Sequence, residues 1–142
     1  MPSRGAADIL QAVNARERQR LAALEDRRRS LATQLAQVGF ISRGSVVTSY
    51  TACGKDSCRC RSDPRARHGP YWQWSRAVRG RTVTTRLSEG QAALYREWIA
   101  NQRTLDGIVR RIQEVSRRAS QILLREAERT PATPADAEAR HR

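Results

Sequence analysis

The chain has 142 residues, a net charge of +13, and aromatic residues at only 5%. Such a composition excludes a large globular core, while the excess of Ala, Leu, Arg and Glu favours long helices. No run of 18 apolar residues exists and Met1–Asp8 lacks the apolar stretch of a secretory signal, so neither a membrane span nor export is expected.

Residues 1–5 are expected to be a disordered start. From Ala6 to Val38 the chain reads as one helix without an internal Gly or Pro. Leu10, Leu21, Leu24, Leu31, Leu35 and Val38 fall on a heptad seam, interrupted at Asn14, Glu17 and Arg28. Gly39 supplies a stop signal, and 6–42 is expected to form an N-terminal coiled-coil helix. The period then changes to two. Ser45–Thr51, Pro70–Arg76 and Arg81–Leu87 read as strands, the last two joined by a hairpin turn over Ala77–Gly80. Arg61–Arg67, with Pro64, reads as a polar loop. Ser88 and Gln91 match a capping box that opens a second helix. Along it Leu94, Trp98, Asn101, Leu105, Ile108, Ile112, Val115, Ala119 and Ile122 alternate in steps of four and three, a coiled-coil repeat over 88–128. Asn101, the polar member, either fixes register and partner number or faces the central module. The tail 129–142, with Pro131 and Pro134, is expected to be disordered. The fold class is therefore mainly α with a small β insert: two long coiled-coil helices flanking a short, three-stranded, zinc-bound β module at 43–87.

The charge is unevenly spread. Residues 1–44 carry +4, 45–87 carry +7 and 88–142 carry +2, so the excess concentrates in the central module. Of the 27 basic residues only Lys55 is a lysine. A GC-rich genome would favour Arg codons, but whatever its origin the guanidinium fork suits phosphate recognition.

All three cysteines, Cys53, Cys58 and Cys60, lie with His68 inside a 16-residue window. Thiolate and neutral imidazole are ligands zinc prefers, and four of them close a tetrahedral structural site. In a cytoplasmic protein clustered thiols are metal ligands before they are disulfides. Three thiols packed as small hydrophobes would be the plain alternative, but Lys55, Asp56, Arg59 and Arg61 surround them. A redox pair of Cys58 and Cys60 would close an unfavourably tight ring. One structural Zn2+ per chain is expected on Cys53, Cys58, Cys60 and His68; without His68, solvent or a second chain would complete the shell.

Trp72 and Trp74 share one strand face and Tyr71 points to the other. The tryptophans suit the small core of the sheet, whereas Tyr71 or one Trp could stack on an unpaired base beside Arg76, Arg79, Arg81 and Arg86. Lys55, Arg59 and Arg61 would extend that basic surface across the metal loop. Alternatively the hairpin enters a duplex groove as a β-ribbon. No nucleophile elbow, phosphate-binding Gly loop or carboxylate pair is present, so an enzyme is not expected.

Ser-x5-Thr-x-Cys-Gly-Lys-x2-Cys-x-Cys, followed by His-Gly-Pro-Tyr-Trp, resembles a small, largely uncharacterised bacterial family marked by Cys-Gly-Lys-x2-Cys-x-Cys and His-Gly-Pro-Tyr. The resemblance runs from about Gly44 to Trp98 and rests on Gly44, Cys53, Gly54, Lys55, Cys58, Cys60, His68, Gly69, Pro70, Tyr71 and Trp98. Members often sit beside transposase or integrase genes, which implies a mobile-element context. The expected function is a zinc-stabilised accessory protein that binds nucleic acid, DNA in preference to RNA, in the cytoplasm and at the nucleoid if DNA-bound. A homodimer or another helical partner would form through the coiled coil. The alternatives are an adaptor for a recombinase or transposase without nucleic-acid contact, and a thiol redox sensor.

Overall fold

A computed structural model describes residues 4–130. They are mainly helical, with one small antiparallel sheet. The expected disorder of 131–142 and of Met1–Ser3 lies outside the described residues. Helix α1 spans Arg4–Ala12, α2 Ala15–Ala36 and α3 Glu89–Arg129; strands β1 (Ser45–Thr51), β2 (His68–Val78) and β3 (Arg81–Leu87) lie between α2 and α3. Two single-turn 3-10 helices, Arg59–Arg61 and Pro64–Ala66, fill the β1–β2 connection. Among the described residues no helix is long and apolar enough to cross a membrane.

The expected single helix over 6–38 is two. Asn14 is extended (φ −66°, ψ 163°) and caps α2, its Oδ1 accepting from the Glu17 N–H at 2.9 Å. Its side-chain amide donates to the Glu17 carboxylate at 3.0 Å. Asn14 thus satisfies one orphan amide of α2 and Glu17 holds its side chain in place, and the two polar interruptions of the seam mark a helix start. Val13, just before the cap, is 1% exposed and anchors the entry of the chain.

The described residues divide into two compact units, a helical one at 4–37 with 107–130 and a sheet-bearing one at 38–106. In the helical unit Leu31, Ile108 and Ile122 are buried. Leu21 and Leu24 of α2 and Leu10 of α1 line one crevice with Val115, Ala119 and Leu123 of α3. Residues of both expected seams thus line that crevice, although Leu10 and Leu35 stay exposed.

In the sheet unit the strand order is β1-β2-β3, with β2 central. Val46 pairs with Trp74 and Trp72 with Leu87, so these side chains share one face. That face packs on the start of α3. The Trp74 ring stacks on Tyr95 at 4.3 Å between centroids, Tyr95 meets Trp98 edge-on at 5.1 Å, and Ala92 and Ile99 are buried beside them. Leu94, expected in the α3 seam, is exposed, because here the sheet selects a different stripe. Asn101 resolves its two expected roles: it donates to the Phe40 carbonyl at 2.8 Å, tying the α2–β1 connection to α3. Trp74 Nε1 donates to the Arg43 carbonyl, and a side chain at Gly44 would overlap the Ser75 carbonyl, so the chain enters β1 in close contact with β2. Strand β1 is an edge strand, and none of its seven residues is charged.

Candidate metal centre and open sheet face

Strand pairing builds the cluster. Thr51 lies opposite His68 across a β-bulge at Ser49/Thr51, which brings the end of β1 to the first residue of β2. Cys53 follows β1 by two residues, Cys58 precedes the first 3-10 turn and Cys60 lies within it. Asp63 caps the second turn by accepting from the Arg65 N–H at 2.9 Å. The chain then returns to His68. Each donor is held at or near the end of a regular element.

The Sγ atoms of Cys53, Cys58 and Cys60 and a ring nitrogen of His68 all lie within 4.8 Å of one another. Cys60 Sγ is 3.4 Å from Cys53 Sγ, and Cys58 Sγ is 3.4 Å from His68 Nε2. A tetrahedral zinc site, with Zn–S ~2.3 Å and Zn–N ~2.0–2.1 Å, sets its donors about 3.5–3.8 Å apart. Donor chemistry and spacing both fit. The Cys53 N–H donates to Cys60 Sγ at 3.2 Å.

Cys60 is 2% exposed, Cys53 and Cys58 are half-buried and His68 is exposed. The Cys58 thiol is lowered to about 6 by the Cys60 backbone amide first, then by hydrogen bonds from Cys60, His68 and Cys53. The Cys60 thiol also feels an amide, that of Cys53, which lowers it. Burial and the neighbouring Cys58 and Cys53 thiols outweigh that pull and hold it above the usual value.

Gly69 follows the last donor with φ +146°, and a Cβ there would stand 2.8 Å from the Ser49 carbonyl oxygen and from the Tyr50 ring. A side chain at Gly69 would therefore push β2 off β1 beside His68. Gly54 has no such constraint, with open space where a Cβ would stand.

The expected nucleic-acid residues do not form one patch. The metal loop and the hairpin tip lie at opposite ends of β2, about 33 Å apart for ten steps of an extended strand. In the loop Arg61 pairs with Asp56 and Arg59 with Asp63 at 3.3 Å, so only Lys55 of that trio has no acid drawn to it. Arg76 lies over the Trp74 ring at 3.8 Å and donates to Thr85 Oγ1 at 3.0 Å, which places it on the helix-covered face. Tyr71 is on the open face, but the Arg86 guanidinium already stands 3.8 Å over its ring. Arg79, Arg81 and Arg86 are exposed. The open face also carries Ser45, Val47, Gln73, Ser75, Ala77, Thr82 and Thr84, residues not expected to matter from sequence; their period-2 alternation with Trp72 and Trp74 was the available signal. No acid occurs between Asp63 and Glu89.

A family model described as a domain of unknown function, DUF6788, matches residues 21–97, an interval that holds all four donors and the whole sheet. No curated protein and no solved structure matches the chain.

Proposed function

The chain belongs to the DUF6788 family, and from its Cys/His cluster and open basic sheet we propose a non-enzymatic, zinc-stabilised protein that binds nucleic acid. One observation carries the reading: four zinc-type donors converge within 4.8 Å at the end of a sheet whose 64–88 segment contains arginines and no acid. Cys53, Cys58, Cys60 and His68 would hold the ion, and the ion would supply folding free energy to a module with little core of its own. Arg79, Arg81 and Arg86 are the contact residues, with Lys55 beyond them; Arg76 supports the hairpin from its packed face. The helical unit is the arm for a second copy, or for a recombinase or transposase. The resemblance to a family encoded beside such genes supports a role as an accessory protein of a mobile element.

The test is metal content together with binding at rising salt. Purified protein should carry one zinc per chain. Affinity for nucleic acid should fall steeply with salt, by about −0.9 in log–log slope per phosphate contact on duplex DNA. Arg79→Ala with Arg81→Ala should flatten the slope by about two. Arg117→Ala with Arg118→Ala should change it less, because Glu114 already engages both, at 2.8 and 2.9 Å. Zinc without any nucleic-acid affinity would instead favour a protein adaptor, and chains free of metal would favour a thiol sensor.

A further inference from the structure

β1 ends its pairing with β2 at Ser45 opposite Ser75. Beyond it Arg76 pairs with Val83, Ala77 with Thr82 and Val78 with Arg81, with no third strand beside them. These residues form a two-stranded ribbon projecting past the sheet, closed by Arg79 and Gly80 with φ 49° and 75°. Ala77, Arg79, Gly80, Arg81, Thr82 and Thr84 are all exposed, so nothing among the described residues covers the ribbon. The ribbon is anchored where it leaves the sheet: Arg76 rests on Trp74 and bonds Thr85.

From these features, and resting on the nucleic-acid reading above, we infer that the ribbon enters the major groove of duplex DNA, Thr82 and, where the ribbon leaves the sheet, Thr84 meeting base edges, while Arg79 at the tip, Arg81 on the opposite face of the ribbon and Arg86 at its base meet the phosphates. Two strands about 4.8 Å apart fit a groove about 12 Å wide, which admits a two-stranded β-ribbon. The face is built from small hydroxyl and amide side chains that let the backbone approach base edges, and it holds no acid to repel phosphate. Arginine in the left-handed region at the tip, where Asn or Gly is the usual choice, keeps a guanidinium at the point that would lead into the groove. Single-strand binding along the ribbon would need a free aromatic platform there, yet Tyr71 is covered by Arg86 and Trp74 stacks on Tyr95, and the exposed rings of Phe40 and Tyr50 lie before β1 and at its far end from the tip. The deep, narrow major groove of duplex RNA does not admit side chains.

The experiment measures affinity of the zinc-loaded full chain for one sequence as duplex DNA, as single strand and as duplex RNA. Two further DNA duplexes are added: one with cytosines carrying glucosylated 5-hydroxymethyl groups, which obstruct the major groove, and one saturated with a minor-groove ligand. Duplex DNA should bind best. Glucosylation should weaken it by about tenfold or more, and the minor-groove ligand should leave it unchanged. Arg79→Asn keeps the tight turn and should lower the salt slope by about one. Equal affinity for single strand or RNA, indifference to glucosylation, or an unchanged slope in Arg79→Asn would overturn the inference while leaving nucleic-acid binding intact. No binding to any probe would overturn both.

Discussion

Two glycines beside the Cys/His cluster differ in what a side chain would meet there. Gly69 is pressed against the Ser49 carbonyl and the Tyr50 ring, whereas Gly54 faces open space. Gly69→Ala should therefore lower zinc retention under mild chelation, and Gly54→Ala should leave it near wild type; equal retention in both would contradict the role given to the β1–β2 approach. Arg79 makes the opposite trade. Its left-handed backbone costs on the order of 1 kcal/mol relative to a residue at ease there, so Arg79→Asn should raise the unfolding midpoint of the zinc-loaded module. A variant that gains stability while losing salt-dependent binding would separate the two roles of that residue.

Helix α2 begins where it does because Asn14 caps the Glu17 amide, with the Glu17 carboxylate holding the Asn14 side chain. Asn14→Ala should cost about 1 kcal/mol, read as a lower thermal midpoint of the helical circular dichroism. Leu31→Ala, at a fully buried position, should cost more, about 2–5 kcal/mol. The three strands were legible in sequence because period-2 alternation and a Gly at the hairpin tip are strong local signals, and β1 and β3 begin and end where alternation does. The gathering of Cys53, Cys58, Cys60 and His68 was legible for the same reason: residue type and spacing are local. The helix break was not, since Asn14 and Glu17 read equally well as flaws in a seam. Leu94 and the division of the arginines were illegible for a different reason. Which residue a sheet covers, and which group an arginine meets, depend on how the chain folds back on itself, as Arg61 with Asp56 and Arg76 with Trp74 show.

At the scale of the whole molecule, two carboxylates link the helical unit to pH. Glu25 is lowered to about 2 by hydrogen bonds from Arg28, aided by Arg29, and Glu114 to about 2 by Arg117 and Arg118, against an ordinary value of 4.5. A lowered folded value stabilises the fold above the unfolded value. That stabilisation should be lost as pH falls from about 4.5 to about 2, modestly because both sites are open to solvent. Acid titration of the helical signal should show this loss, and Glu114→Gln should reduce its amplitude; an unchanged profile in that variant would exclude Glu114. The edge strand has a quieter consequence. In a chain this rich in arginine, Ser45–Thr51 is seven residues without a charge, five of them β-prone, and natural sheets usually place a charge or a proline on such an edge. A metal held by the Cys/His cluster would pin the end of that strand beside His68 and leave it one fixed mate. Chelation should release it to seek others, so that stripped protein turns turbid where a merely unfolded chain of charge +13 would stay clear. Val47→Lys, on an exposed position, should keep the chelated protein in solution.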